Sequence, residues 1–119
     1  MISIYNCYKS IHICFFKLRL YYFCNCAFEF CEFLKEIHFK DKSKLKLINE
    51  SAFTNCYELE KVIFPSGVEE IAYNAFYSCS SLGKVEIGSK VANIGANVFS
   101  LCSSLTEISV NENNENFCY

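Results

Sequence analysis

The sequence predicts a β-rich α/β repeat solenoid, with short strands along one side and short helical or 3-10 turns elsewhere. Two observations carry this prediction. One phrase recurs between residues 48 and 110 at a constant step of 23 residues, and a fixed period of about 20–50 residues is the signature of stacked-coil architectures. Within each copy, apolar residues two apart, a turn signal and apolar residues three apart follow in the same order. Alternation marks a strand with one buried face, and a spacing of three marks a single helical turn.

The first regular copy reads Ile48-x3-Ala52-Phe53-x2-Cys56-x2-Leu59-x2-Val62-x-Phe64-x3-Val68. The second is Ile71-x3-Ala75-Phe76-x2-Cys79-x2-Leu82-x2-Val85-x-Ile87-x3-Val91, and the third runs from Ile94 through Val98-Phe99, Cys102, Leu105, Ile108 and Val110. Residues 48–70, 71–93 and 94–116 are therefore regular repeats. Upstream, Ala27-Phe28-x2-Cys31-x2-Leu34-x2-Ile37-x-Phe39 keeps the intervals but needs nine residues rather than seven to reach Ile48. Residues 27–47 thus form a repeat whose turn is lengthened within Lys40–Lys46. Residues 1–26 read as a degraded first repeat, with Cys14 and Phe16 in the slots of Val62 and Phe64. The expectation is one array of five coils over residues 1–119.

In the strand of each copy, Val62 and Phe64 share the core face while Lys61 and Ile63 point away. Pro65-Ser66-Gly67 and Gly88-Ser89-Lys90 are turns, because Pro presets φ and Gly relaxes it. Ser51, Asn74 and Asn97 precede the apolar triplets and are expected to be N-caps, accepting a bond from an orphan backbone N–H. A single coil has no partner for its apolar face. Stacking at about 4.8 Å per coil supplies one and pairs the strand backbones.

Composition narrows the function. Hydrophobic residues make up 52% and aromatics 17%, with a net charge of −2, which fits a packed core and not disorder. That balance, with Arg19 as the sole arginine, argues against an electrostatic nucleic-acid binder. The early apolar runs, such as Ile13–Phe16, are no more than five residues long, whereas a membrane span needs about 20. No transmembrane segment is expected. The first residues lack a basic n-region, so no secretory signal is expected either.

Nine cysteines is an odd count, and Cys31, Cys56, Cys79 and Cys102 fall in register with the repeat. Parallel side chains in such a ladder do not face one another as a disulfide requires. The expectation is a column of buried thiols. Cys24-Asn25-Cys26 with His12 and His38 lacks the paired spacing of a zinc site, so no metal ligands and no cofactor are assigned. Asp41 is the only Asp, and no nucleophile–base–orienter set emerges. No catalytic residue is assigned and no enzyme activity is expected.

The phrase resembles the BspA-like leucine-rich repeat family of bacterial and protist surface proteins. The resemblance rests on Phe64-Pro65, Ala75-Phe76, Cys79-Ser80-Ser81-Leu82 and Ile94-Gly95. It covers residues 48–110 closely, 27–47 fairly and 1–26 loosely. It implies a right-handed leucine-rich-repeat coil, non-catalytic, serving protein interaction or adhesion. It also implies display at the cell surface, whereas free cysteines and the missing signal point toward the cytoplasm. Arrays of this kind carry polar caps, and neither end of this sequence has one. The alternative reading is therefore a structural fragment that self-associates through its ends or belongs to a longer array.

Outward strand positions form the candidate binding face for a protein partner. Counting from the inward residues gives one row of Ile13, Glu36, Lys61, Lys84 and Glu107, and a second of Phe15, His38, Ile63, Glu86 and Ser109. Glu36, His38, Lys61, Ile63, Lys84, Glu86, Glu107 and Ser109 are the assigned binding residues. The cluster Lys40, Lys42, Lys44 and Lys46 is read as a solvated turn.

Overall fold

The computed structural model describes residues 12–14, 25–39 and 44–117. Phe15, Cys24, residues 40–43 of the lengthened turn and most of the degraded repeat lie outside them. Among the described residues eight strands follow in order: β1 (His12–Cys14), β2 (Glu36–His38), β3 (Leu47–Ile48), β4 (Lys61–Val62), β5 (Glu70–Ile71), β6 (Lys84–Ile87), β7 (Asn93–Ile94) and β8 (Glu107–Val110). All pair in parallel. The front sheet has the order β1-β2-β4-β6-β8, one strand per coil.

A second sheet, β3-β5-β7, corrects the expectation of strands on one side only. Its strands are two residues long. They form because each coil turns again after Val68 or Val91 and lays its next pair of residues beside the coil before it. Ile48 and Ile71 point from this sheet into the core. The turns predicted at Pro65 and Gly88 are present, closed by Val68 N donating to Pro65 O and Val91 N to Gly88 O.

The helical turns are not present; no helix occurs among the described residues. Residues 49–59 instead make successive β-turns, in which Ala52, Thr54, Cys56 and Leu59 donate to the carbonyls of Asn49, Ser51, Phe53 and Cys56. The remaining amides reach the next coil. Ser51, Phe53 and Asn55 donate to Tyr73, Ala75 and Tyr77 at 3.0, 2.8 and 2.9 Å, and Asn74, Phe76 and Ser78 to Ala96, Val98 and Ser100 at 3.1, 3.1 and 2.8 Å. Cys26, Phe28 and Phe30 donate in the same way to Glu50, Ala52 and Thr54. The carbonyl of Glu50 and the amide of Ser51 belong to one peptide, so three columns of hydrogen-bonded peptides run from coil to coil. In a helix the peptide dipoles align along the chain; here they align across it.

Aiming alternate peptides at the next coil requires positive φ twice per coil. The residues concerned are Cys26 and Phe30, Ser51 and Asn55, Asn74 and Ser78, Asn97 and Leu101, at φ of 54–61°. Ser51, Asn74 and Asn97 are thus left-handed turn residues and not N-caps, whose φ is extended.

The core is a set of columns. Phe28, Phe53 and Phe76 are fully buried and stack with Phe99 at centroid separations of 5.1, 5.3 and 5.9 Å, within the favourable range for offset rings. Leu34, Leu59 and Leu82 form a second column, and Leu45, Val68 and Val91 a third. The lengthened turn therefore returns Leu45 to register. Gly95 packs where only a bare Cα fits: a Cβ there would lie 2.5 Å from Tyr73 N.

Candidate protein-binding face

The outward side of the front sheet is built from the alternating residues of β2, β4, β6 and β8. Glu36 pairs with Lys61, Lys61 with Lys84, and Lys84 with Glu107, so one row of charges crosses the sheet as minus, plus, plus, minus. In the second row Glu86 pairs with Ser109. The first coil sits one residue away from its expected register: His12 pairs with Glu36, and Ile13 with Ile37. Ile13 therefore leaves the outward row. A slip of one residue exchanges the two faces of a strand, and near β1 the sequence offers Ile11, Ile13, Cys14 and Phe16 as rival core candidates.

Seven of the eight assigned residues, Glu36, Lys61, Ile63, Lys84, Glu86, Glu107 and Ser109, line one shallow groove of about 630 Å³. Sequence reasoning missed Glu60 and Gly83, which also line it. Gly83 has open space where a side chain would stand, leaving the groove floor as bare backbone. Glu60, Gly83 and Thr106 form a column one residue before the strands, at the repeat period that exposed the other rows. Ile63 is 59% exposed beside the groove. A neighbouring cleft of about 230 Å³ lies between Phe64, Ser66 and Ser89, with Asn111 Nδ2 donating to Glu86 Oε1 at 3.3 Å.

The ion pairs are matched one repeat apart. Lys84 Nζ lies 2.9 Å from Glu107 Oε2 and Lys46 Nζ 2.7 Å from Glu69 Oε1; both pairs are exposed and contribute little to stability. The Lys46 ammonium, with Lys90 more distant, holds the Glu69 carboxyl below its usual range. Lys61 makes no ion pair among the described residues and faces Lys84 across the ladder, an arrangement of like charges that costs stability. A carboxylate arriving from outside would relieve it.

The cysteine column does different work. Cys56, Cys79 and Cys102 donate from Sγ to the carbonyls of Phe28, Phe53 and Phe76 at 3.3, 3.2 and 3.2 Å. Each thiol thereby ties its coil to the preceding Phe, and only the protonated form donates. Burial pushes the Cys79 and Cys102 thiols up from their usual pKa, which keeps them protonated and unreactive. Cys26, Cys31, Cys56, Cys79 and Cys102 are not disulfide-bonded. Among the described residues no group of three or more His, Cys, Asp or Glu is placed to hold a metal ion, and no helix is long and apolar enough to cross a membrane.

At the C-terminal edge, Asn114 occupies the column of Val68 and Val91. Its Nδ2 donates to Gly88 O at 2.7 Å and Val91 O at 3.0 Å, and its Oδ1 accepts from the amides of Asn116 and Phe117. A polar side chain thus satisfies the turn carbonyls at the position where the preceding coils carry Val68 and Val91.

With this geometry in place, comparison with known proteins is informative. The family model described as BspA type Leucine rich repeat region (6 copies) matches residues 2–119. No curated protein matches the chain at a significant level. Among solved structures, the Pneumococcal vaccine antigen PcpA is similar at 22% identity and a TM-score of 0.80, over 88% of this chain and 25% of that one. A leucine-rich repeat protein from Bacteroides ovatus is similar at 29% identity and a TM-score of 0.76, over 87% of this chain and 26% of that one. A leucine rich cell surface protein from Faecalibacterium prausnitzii follows at 22% identity and a TM-score of 0.65, over 87% of this chain and 32% of that one. The chain spans about a quarter of the length of the first two.

Proposed function

The chain belongs to the BspA-type leucine-rich repeat family, and from that premise we propose that it is a non-catalytic protein-binding module whose contact surface is the outward face of the front sheet. The observation that carries this reading is the grouping of Lys61, Ile63, Lys84 and Glu86 along one groove, with Ile63 exposed and Lys61 in no ion pair among the described residues. An exposed apolar residue rimmed by charge of both signs fits a protein partner. Lys61, set beside Lys84 but outside the Lys84–Glu107 ion pair, fits one that brings a carboxylate to that spot. A role in adhesion at a cell surface follows from the same reading, since one structural neighbour is described as a cell surface protein.

The test compares faces. The immobilised chain is challenged with protein extracts beside two variants, Lys61→Glu/Ile63→Asp on the front face and Tyr73→Lys on the opposite side. A protein held by the wild type and by Tyr73→Lys, and lost from the front-face variant, is the expected result. Equal retention by all three, with circular dichroism showing each folded, removes the front face from the account. Labelling intact cells with antibody tests the surface location in the same material.

A further inference from the structure

The shallow groove on the front face and the neighbouring cleft are one surface, because Val62, Ile63 and Glu86 line both. Glu86 stands at their junction. It is exposed, and its Oε1 accepts from Asn111 Nδ2 at 3.3 Å. Asn111 is itself held in place. Its Oδ1 accepts from the Asn113 amide at 3.0 Å, and its backbone amide donates to Ile87 O at 2.9 Å. With the carboxamide oxygen already bonded to the backbone, the nitrogen is the end left to face Glu86. A neutral donor orients a carboxylate without neutralising it. Glu86 makes no ion pair among the described residues.

The rest of the cleft suits an aliphatic stem with a cationic end. Ile63 and Phe64 give it apolar walls. Ser66 and Ser89 also line it, and neither hydroxyl makes a hydrogen bond among the described residues. At Gly88 the nearest atom to the place of a Cβ is 4.0 Å away, so the cleft is open there. A carboxylate with two hydroxyls is a set of acceptors, and a long basic side chain brings donors on an apolar stem. Arginine matches best, because it carries several N–H donors in one fixed plane.

The charge of the whole surface points the same way. Glu36, Glu60, Glu86 and Glu107 set four carboxylates against the two ammonium groups of Lys61 and Lys84, and Lys84 is paired with Glu107. The surface is net acidic, with Lys61 as a local exception. Lys61 pairs with Lys84 across the ladder, about 4.8 Å away, and Glu86 lies two residues further along that strand, about 6.6 Å. The Lys61 and Glu86 Cα atoms are therefore roughly 8 Å apart. Same-side residues of an extended segment are about 6.6 Å apart, so an acidic and a basic residue at i and i+2 reach both.

We propose that the front face takes an extended peptide segment carrying an acidic and a basic residue two apart, the basic one in the cleft at Glu86 and the acidic one at Lys61. This rests on the front face being the contact surface, and it adds the chemistry of the partner.

The experiment is an NMR titration of the isotope-labelled full chain with two synthetic peptides, acetyl-Ala-Glu-Ala-Arg-Ala-amide and the same peptide with Glu in place of Arg. The Arg peptide is expected to give saturable shifts of the Ile63, Glu86 and Asn111 amides. Binding about fivefold weaker is expected in Glu86→Gln, the contribution of one exposed ion pair. Glu86→Lys is expected to reverse the preference and take the all-acidic peptide. Glu86 is exposed, so neither variant disturbs the core. Equal binding of the two peptides by the wild type overturns the proposal, as does equal binding of the Arg peptide by the wild type and Glu86→Gln. Absence of shifts with either peptide overturns it as well. Lys61→Glu/Ile63→Asp judges the front face separately. Binding that survives Glu86→Gln and is lost in that variant leaves the front face standing and removes only the assigned chemistry. Shifts confined to Lys46, Glu69 and Lys90 remove both.

Discussion

Replacing Cys79 by Ala tests whether the cysteine column holds the coils together as protonated donors. Cys79 is fully buried, and its Sγ donates to Phe53 O at 3.2 Å. Removing the sulfur forfeits burial worth about 0.8 kcal/mol, taking it as one methylene. The lost hydrogen bond adds about 0.5–1 kcal/mol, and the small void adds a little more, for a total near 2 kcal/mol at pH 7. The pH dependence is the sharper test. Burial raises the folded-state pKa above the ordinary value of 9.0, so above pH 9 the unfolded chain releases the proton while the folded chain keeps it. Stability from this group is therefore full below pH 9 and falls as pH rises. At one unit above the unfolded value the loss is about 1.4 kcal/mol. Urea unfolding at pH 8 and pH 10 in reductant measures it. The wild type is expected to lose about 1.4 kcal/mol more than Cys79→Ala between those two values. Equal losses would refute the buried, protonated donor.

Three further predictions concern the backbone and the edge. Gly95→Ala forces a methyl onto the Tyr73 backbone and is expected to cost about 1–3 kcal/mol in chemical denaturation. Leu101→Asn replaces an exposed residue at φ 58° with one that tolerates the left-handed region, and thermal unfolding at low protein concentration should show a gain of about 1 kcal/mol. Asn114→Val restores the apolar type of its column but strips donors from the Gly88 and Val91 carbonyls and the acceptor from two amides. A loss of about 2 kcal/mol is expected, measured by urea titration.

How far the sequence discloses this molecule depends on which hydrogen bonds decide each part. The constant step places Lys61, Lys84 and Glu107 in one row, because a parallel ladder copies the register of the repeat directly. The same step brings Phe53 above Phe76 and Cys56 above Cys79. The turns were hidden for two reasons. Apolar residues three apart, such as Phe76, Cys79 and Leu82, suit a helical turn and a run of β-turns equally well. The residues at positive φ also include Cys26, Phe30 and Leu101, and none is the glycine that advertises such backbone. Their conformation is set by amides that bond to the next coil, and no local pattern reports that. The second sheet escaped because a pair such as Glu70–Ile71 is too short to alternate. The outward rows were legible as positions, whereas the groove was not, since Gly83 contributes by having no side chain.

The most direct test of the binding proposal is lysine footprinting of the chain alone and with a protein retained in the face comparison. Lys61 and Lys84 lie on the front face, and Lys46 and Lys90 lie away from it, beside Glu69. The account predicts slower acetylation of Lys61 and Lys84 in the complex with Lys46 and Lys90 unchanged. Protection of Lys46 and Lys90 with Lys61 and Lys84 still reactive would contradict it.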